Sequence, residues 1–324
     1  MTTVCSDMPE QPMPNGAMME NCPLVSVVVP TYGRAALLPR ALDSIFAQTW
    51  QNIEIVVADD NLPDTDNETQ TRAVLAPYLS RPNLKYLKTP GGCGGGAARN
   101  MALKLCAGDY VAFLDDDDRF LPDKIEKQLL YMLEHGLEGC FQDVRWVDEN
   151  EKLVELRSMH YTDDYSKEGL LRAHILHSIA PTAIYMFRRD KLLLTEGFGE
   201  VPSGQDFILM LRCIESGMKL GYMEGDYVVQ YLHRGARISL GDGKIRGENN
   251  LYALKHNYFY MLTHAERSYV RFRHYAVLAF ASMRSRRPLR AAGYAVVTVC
   301  SSPVTCIKEG IRYWNSKREK NTQK

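Results

Sequence analysis

The chain has 324 residues, of which 45% are hydrophobic and 24% are charged, and its formal net charge is zero. This composition is ordinary for a soluble globular protein and allows one large domain or two small ones. We predict no nucleic-acid partner. The charge is nevertheless unevenly placed, because residues 264–324 contain 13 Lys/Arg and 3 Asp/Glu. This asymmetry predicts an acidic body followed by a basic tail.

The eight cysteines are scattered and form no C-x-x-C pair, which argues against a zinc site. Residues 1–23 lack the basic start and the apolar core of a secretory signal. Their Met-, Pro- and Asn-rich composition without periodicity predicts a disordered leader. We therefore predict a cytoplasmic protein with reduced thiols.

Residues 24–118 alternate between short apolar runs and stretches with helical spacing. The apolar runs predict strands at 24–29, 53–58, 84–87 and 110–114, and the stretches between them predict helices. This order indicates a parallel sheet with right-handed crossovers.

Residues 119–240 continue with predicted helices at 122–135 and from 167 to about 177, a short helix at 189–194 and a helix that begins at Asp206. Further strands are predicted at 140–148, 152–156, 182–187, 219–223 and 227–232. Residues 241–324 are predicted to form a basic, helical C-terminal region. The predicted fold class is therefore α/β, with a mixed, mainly parallel sheet flanked by helices.

The four carboxylates Asp115–Asp118 follow the apolar run at 110–114 directly. Ligands of open α/β sheets bind at the carboxyl ends of the strands, where these carboxylates are expected to lie. Four adjacent carboxylates repel one another, and oxygen ligands suit Mg²⁺ or Mn²⁺. The alternative is an exposed turn whose Asp side chains cap the helix that begins near Pro122. The residues alone leave both interpretations open.

Two further features lie at the ends of predicted strands. A carboxylate at Asp59 or Asp60 could accept the N3–H of a uracil ring, although a carboxylate here could equally cap a loop. The Gly-rich segment 91–96 leaves backbone N–H groups free to approach a diphosphate, and Arg99 adds a positive charge nearby. The alternative for this segment is a flexible surface loop.

Four segments resemble glycosyltransferase family 2, in order, spacing and residue type. They are the run from Val25 to Tyr32, the run from Ile55 to Asp60, the Gly-rich segment that ends at Arg99 and Asn100, and the run from Gly108 to Asp118. Each motif is modest alone, but the four in sequence are highly specific. The resemblance covers residues 24–135.

The resemblance implies a GT-A (Rossmann-like) fold, a nucleotide-diphospho-sugar donor, a divalent metal and inversion at the anomeric carbon. Asp115-x-Asp117 matches the D-x-D motif of the family, so Asp117 is expected to bind the metal and Asp115 to lie near the ribose or the donor sugar. Asp59 is expected to face the uracil. The other predicted donor-site residues are Pro30, Thr31, Tyr32, Arg34, Asp60, Gly95, Arg99 and Asp116.

The family takes its general base from a Glu-Asp pair that opens a helix in the second half of the domain. Asp206 matches this base, whereas Gln205 replaces the usual Glu. Asp is also a good helix cap, so a purely structural role for Asp206 is the alternative. His233 lies where relatives often carry a His near the diphosphate, and we predict it as a further metal-site residue, with a structural role as the alternative.

These features divide the chain into the leader 1–23, a catalytic domain at 24–240 and the region 241–324. The catalytic domain would comprise a nucleotide-sugar half (24–118) and an acceptor half (119–240). The alternative functions are a sugar nucleotidyltransferase and a non-catalytic nucleotide-sugar-binding relative. The former would need a glycine-rich basic loop straight after the first strand, which Pro30–Arg34 does not provide.

The basic region has two apolar runs, 275–283 and 291–307, on either side of an arginine-rich segment. The second run is too short and too polar for a membrane span, but an interfacial helix on anionic lipid would fit. A helical subdomain with a solvated basic face is the equal alternative. Contact with the inner face of the plasma membrane would suit a lipid-linked glycan acceptor, as in cell-surface polysaccharide synthesis.

Overall fold

The computed structural model describes residues 22–201, 203–232, 242–309 and 311. The described residues fall into two compact units. The first contains residues 22–169, 179–200 and 205–232, and the second contains the described parts of 170–178, 201–204 and 234–324. Most of the predicted leader lies outside the described residues, and the predicted domain boundaries stay a prediction.

The first unit is built on a seven-stranded sheet with the strand order β10-β6-β9-β4-β1-β2-β3. All neighbouring pairs are parallel except those of β9, which runs antiparallel to both β4 and β6. The predicted mixed, mainly parallel sheet is thus confirmed. The strands of this sheet are β1 (Val25–Thr31), β2 (Ile53–Asp59), β3 (Leu84–Lys88), β4 (Tyr110–Phe113), β6 (Gly139–Gln142), β9 (Met186–Arg188) and β10 (Leu220–Met223).

A second, four-stranded sheet has the order β5-β11-β7-β8 and was not foreseen as a separate sheet. Its first strand has only two residues, which is too short to leave a pattern in the sequence. These strands are β5 (Arg119–Phe120), β7 (Val144–Val147), β8 (Leu153–Arg157) and β11 (Val228–Tyr231).

Helices flank the central sheet of the first unit. The predicted strand at 182–187 is split, because Thr182–Ile184 form a 3-10 turn and only then does β9 begin. The helices of this unit are α1 (Leu38–Phe46), α2 (Asp66–Leu75), α3 (Gly95–Leu103), α4 (Lys124–His135), α6 (Arg189–Leu192) and α7 (Gln205–Glu215).

The second unit is helical in its described part. It takes most of α5 (Lys167–His177) together with α8 (Asp242–His256), α9 (His264–Arg284) and α10 (Pro288–Ser301). Arg172 of α5 pairs with Glu266 at 2.6 Å, and Lys255 donates to Ser178 at 3.1 Å. These contacts explain why a segment predicted for the acceptor half belongs to the helical unit.

Strand register brings the predicted site residues to one edge of the sheet. Every residue of β1, β2 and β4 is buried, which accounts for their predominantly apolar composition. In register, Thr31 pairs with Asp59 and Val28 pairs with Phe113. Because parallel strands end at the same edge, the carboxylates that follow Phe113 lie beside the ends of β1 and β2.

The opposite end of the sheet is held by the buried carboxylate of Glu54. It accepts hydrogen bonds from Ser26 and from the backbone N–H groups of Ala107 and Gly108, and it pairs with Lys85 at 2.6 Å. Burial opposes ionisation, but the bonds from Lys85, Ser26 and Ala107 prevail and lower the pKa of Glu54. One side chain therefore joins β1, β2, β3 and the approach to β4.

We expect Glu54→Gln to lower the free energy of unfolding by about 1.5–3 kcal/mol at neutral pH, the range for hydrogen bonds to charged groups. A depressed folded-state pKa contributes stability above the unfolded value of 4.5 and loses it as the pH falls through the folded value. The difference in the free energy of unfolding between the wild type and Glu54→Gln, measured by urea unfolding, should therefore shrink as the pH is lowered. Glu126→Gln, at a half-buried partner of the exposed Thr49, is the control. A difference in the free energy of unfolding that does not change with pH would contradict the prediction.

Candidate active site

The acidic cluster after β4 places three carboxylates close together. One oxygen each of Asp115, Asp117 and Asp118 lies within 4.8 Å of the others. Burial, followed by the nearby Asp117 and Asp115 charges, raises the pKa of Asp118 well above its ordinary value. Three converging oxygen ligands with mutual repulsion fit a hard divalent cation. The helix α4 begins at Lys124 with Asp123 as its N-cap residue, so the cluster does not lie at the start of this helix, where the alternative cap role would place it.

Arg34, in the loop after β1, bridges two members of the cluster. Its guanidinium lies 2.6 Å from Asp116 and also pairs with Asp117. Asp116 is fully buried and accepts a hydrogen bond from Thr31 at 2.8 Å. Burial raises the pKa of Asp116 to about 7, although the Arg34 charge opposes this shift. Asp116 thus fixes Arg34 and the end of β1, whereas Asp115 and Asp117 remain partly exposed.

Arg99, on α3, connects the acidic cluster to the start of α7. One of its amines binds the carboxylate of Asp115, and the other lies 3.4 Å from the side-chain oxygen of Gln205. The side chain of Arg99 is only 9% exposed, so these two contacts define its position. The residue after Gln205 is Asp206, the predicted base. Arg99 and Gln205 therefore link Asp115, in the predicted metal site, to the residue next to the predicted base.

Asp206 also has a local role in α7. Its carboxylate accepts a hydrogen bond from the backbone N–H of Phe207 at 2.8 Å. Burial, and then the nearby Asp206 charge, raise the pKa of the buried Tyr185 hydroxyl well above its ordinary value. Asp206 therefore lies at the start of a helix and beside the buried Tyr185, and its predicted catalytic role stays a prediction.

The Gly-rich segment is held in place by Asp60. This carboxylate accepts hydrogen bonds from Thr89 at 2.6 Å, from the backbone of Cys93 at 3.1 Å and from the backbone of Gly94 at 2.8 Å. Burial opposes ionisation, but the bonds from Cys93, Thr89 and Gly94 lower the pKa of Asp60. The segment is therefore an ordered loop.

Two glycines at the start of α3 allow a close approach of neighbouring atoms. A Cβ on Gly95 would lie 2.9 Å from Arg99, and a Cβ on Gly96 would lie 2.9 Å from the backbone oxygen of Gly199. Both positions would also bring a Cβ within 3.3 Å of Gln205. Glycine at these positions is therefore what lets α3 meet the start of α7.

Asp59 is completely buried and has partners on both oxygens. Asn61 donates to it from its backbone and its side chain, and Tyr86 donates from its hydroxyl at 2.8 Å. Asn61 in turn accepts a hydrogen bond from Gly33 at 2.7 Å, which fixes the loop between Thr31 and Arg34. The expected contact between Asp59 and a uracil ring stays a prediction, and this geometry gives Asp59 a supporting role.

Four predicted site residues remain to be placed. Pro30 and Thr31 are buried at the end of β1, whereas Tyr32 is exposed. His233 lies outside the described residues, so its predicted place at the metal site stays a prediction.

Sequence reasoning missed the residues that hold the acidic cluster from the side of the second sheet. Asp118 accepts hydrogen bonds from Gln230 at 2.8 Å and from the backbone of Tyr231 at 3.1 Å. Arg40 donates to the backbone oxygen of Asp117 and stacks over Tyr231, 3.5 Å from its ring centroid. Gln230 and Tyr231 are more than a hundred positions from Asp118, and no local signal in the sequence links them.

The family model for glycosyl transferase family 2 matches residues 26–193. This match covers more than half of the chain. The chain belongs to glycosyl transferase family 2. It is therefore a glycosyltransferase, and the family resemblance seen in the sequence is confirmed.

Known proteins agree with this assignment. The putative colanic acid biosynthesis glycosyl transferase WcaA of Escherichia coli is 26% identical over 72% of this chain and 82% of its own length. Several other matching glycosyltransferases are covered over less than two thirds of their length, down to 17%. The family 2 enzyme thus has relatives in polysaccharide biosynthesis.

Two solved structures share the fold. TarS of S. aureus in complex with UDP-GlcNAc is 20% identical, with a TM-score of 0.57 over 86% of this chain and 73% of that one. Mannosyltransferase PcManGT of Pyrobaculum calidifontis, in complex with GDP-Man and Mn²⁺, is 16% identical, with a TM-score of 0.52 over 97% and 87%. At these identities the likeness shows the fold alone, and the predicted GT-A architecture is confirmed.

Proposed function

We propose that this family 2 enzyme is a metal-dependent, inverting glycosyltransferase that moves one sugar from a nucleotide-diphospho-sugar, by preference a UDP-sugar, to a hydroxyl of a glycan. One observation carries the proposal. The carboxylates of Asp115, Asp117 and Asp118 converge at the sheet edge. Arg99 joins Asp115 to Gln205, which opens α7 and precedes Asp206. This arrangement supports the proposal because side-chain contacts connect the proposed metal ligands, an arginine available to a diphosphate and the residue next to the proposed base.

Asp115 and Asp117 would hold the divalent ion, Mn²⁺ or Mg²⁺, and Asp118 would complete the negative field around it. When bound, the ion stabilises the charge of the departing diphosphate. The structural neighbour with Mn²⁺ and the oxygen-only cluster support a divalent ion. Arg34 and Arg99, which pair with the same carboxylates, are the side chains able to turn towards the diphosphate oxygens.

Inversion requires direct attack by the acceptor hydroxyl on C1 of the donor sugar. We assign Asp206 as the general base that receives the proton of this hydroxyl. The acceptor oxygen forms the new bond to C1, and the bond between C1 and the phosphate oxygen breaks. Its electron pair leaves with the nucleoside diphosphate. No covalent intermediate on the protein is needed for one inversion.

We infer a uridine donor from Asp59 and Asp60, the two carboxylates at the end of β2. An Asp side chain can accept the N3–H of uracil or thymine, a donor that cytosine lacks. The ordered loop that Asp60 holds would border this base, with Pro30, Thr31 and Tyr32 on its other side. TarS was solved with UDP-GlcNAc, whereas PcManGT was solved with GDP-Man, so the base needs a direct test.

The acceptor that fits best is a glycan or a lipid-linked glycan of a cell-surface polysaccharide, such as a capsule or lipopolysaccharide. The relative WcaA, named for colanic acid biosynthesis, supports this class. A lipid-linked acceptor would place the enzyme at the cytoplasmic face of the plasma membrane.

Thermal unfolding with a panel of UDP-, dTDP-, GDP- and CDP-sugars, with Mn²⁺, with Mg²⁺ or with EDTA, tests the donor and the metal together. At about 100 times Kd a ligand adds about 2.7 kcal/mol to the free energy of unfolding. We expect a shift with a UDP-sugar that disappears in EDTA. A larger shift with a GDP-sugar, or one that EDTA leaves unchanged, would contradict the proposed donor or the proposed metal.

A further inference from the structure

The last two described long helices, α9 and α10, form a hairpin that buries only one stripe of α10. Ala291 and Thr298 are buried against α9, and the ring of Tyr294 stacks on Tyr275 with 6.2 Å between centroids. These α10 residues are spaced three and four apart, so they share one side of the helix.

The opposite side of α10 is apolar and exposed. Leu289 is 89% exposed and Val296 is 64% exposed, and their spacing of seven places them on one face, away from Ala291 and Thr298. Val299 lies beside them and is also exposed. An ordinary surface helix carries polar residues on its solvent side, so this face is unusual.

Further exposed apolar side chains lie before and after α10 in the chain. Phe280 and Met283, in the last turns of α9, are each more than 60% exposed. After α10, Val304 and Ile307 are each more than 60% exposed within the helical residues 303–309. The exposed apolar side chains therefore extend through the whole end of the described chain.

The charged side chains of residues 267–308 are all positive. Residues 267–308 contain no Asp or Glu, and their eight cations are Arg267, Arg271, Arg273, Arg284, Arg286, Arg287, Arg290 and Lys308. Four of these arginines lie at the turn of the hairpin, between the exposed Met283 and a position just after the exposed Leu289. Cations and apolar side chains thus alternate at the tip.

We propose that this hairpin surface docks on an anionic lipid bilayer. The surface consists of Phe280, Met283, Arg284, Arg286, Leu289, Arg290, Val296 and Val299. No described helix is long and apolar enough to cross a membrane, so the fitting mode is interfacial. In that mode, apolar side chains enter the boundary of the acyl chains while arginines meet the lipid phosphates.

The positive charge of the hairpin surface favours an anionic bilayer over a second copy of this chain as its partner. A symmetric dimer would bring the same patch of both copies together, and therefore arginine against arginine. An anionic membrane offers the opposite charge to every arginine. The docking does not depend on the proposed transfer reaction, because the surface shares no residue with the candidate active site.

The test is sedimentation of the full-length protein with phosphatidylcholine vesicles that contain 0 or about 30% phosphatidylglycerol. We expect binding only to the anionic vesicles and weaker binding at high salt. Each arginine near such a surface contributes about fivefold in affinity, so Arg286→Gln with Arg290→Gln should weaken binding about 30-fold. Leu289→Ser with Val296→Ser should weaken it by at least about tenfold.

Matched controls are Lys104→Gln, for an exposed cation of the first unit, and Leu194→Ser, for a leucine there that is 80% exposed. Both should bind vesicles like the wild type. Equal binding to neutral and anionic vesicles, or unchanged binding of both hairpin variants, would overturn the proposal. So would a dimer, detected by sedimentation equilibrium, that the Leu289→Ser and Val296→Ser changes dissociate.

Discussion

Asp206→Asn is expected to lower kcat for sugar transfer by roughly 10²–10⁴-fold while leaving donor affinity unchanged. The amide cannot take the proton of the acceptor hydroxyl. Asn has nearly the same shape as Asp and its side-chain oxygen can also accept the hydrogen bond from the N–H of Phe207, so the first turn of α7 and the fold should survive. Initial rates with a saturating donor, together with donor titrations by calorimetry, measure the two quantities separately.

Glu215→Gln, at the last position of α7, is the matched control for this change, because it removes a carboxylate from the same helix. It should leave kcat within about twofold of the wild type, as expected for a surface change far from the site. An Asp206→Asn enzyme with near-normal turnover would remove Asp206 from the mechanism. A loss of donor binding instead would assign Asp206 to the donor site.

The central sheet could be predicted because burial on both faces leaves a strong pattern. The run Val25–Val29 is apolar except for Ser26, the run Tyr110–Leu114 is apolar throughout, and both are completely or almost completely buried. The edge at which the acidic cluster lies followed from strand direction alone. These features depend on local sequence and on the geometry of parallel strands, and not on remote contacts.

The interior of the candidate site could not be predicted in the same way. Arg99 could be assigned a positive charge near a diphosphate, but its contact with Gln205 joins residues 106 positions apart. Asp118 likewise depends on Gln230, 112 positions away. The sequence also suggested that Asp59 and Asp60 face a ligand, whereas their geometry shows that they first organise loops. A carboxylate at a strand end is compatible with both roles, and only the positions of its donors separate them.

The acidic cluster and the arginines around it bear on how a donor could enter. Asp115 and Asp117 are paired with Arg99 and Arg34, respectively, so each proposed metal ligand already has a cationic partner. A divalent ion would compete with these guanidinium groups for the carboxylates. The released arginines would then be available to the diphosphate, which would couple metal binding to donor binding.

Asp117→Asn should therefore abolish the Mn²⁺-dependent thermal shift with the UDP-sugar and lower kcat on the order of 10³-fold, the scale of several kcal/mol of lost charge stabilisation. The amide keeps the shape of the side chain but is a neutral, weaker ligand. Calorimetric titration with Mn²⁺ and the donor reports the coupling directly. We expect neither ligand to enhance the affinity of the other in this variant.

Asp116→Asn is the control within the same cluster, because Asp116 is fully buried and binds Arg34 and Thr31. It should preserve the metal-dependent shift, since the proposed ligands Asp115 and Asp117 remain. If Asp116→Asn lost the shift and Asp117→Asn retained it, the metal would have to be reassigned to Asp116. If both variants retained it, neither Asp116 nor Asp117 would be a required ligand, and the metal would have to be reassigned to Asp115 and Asp118.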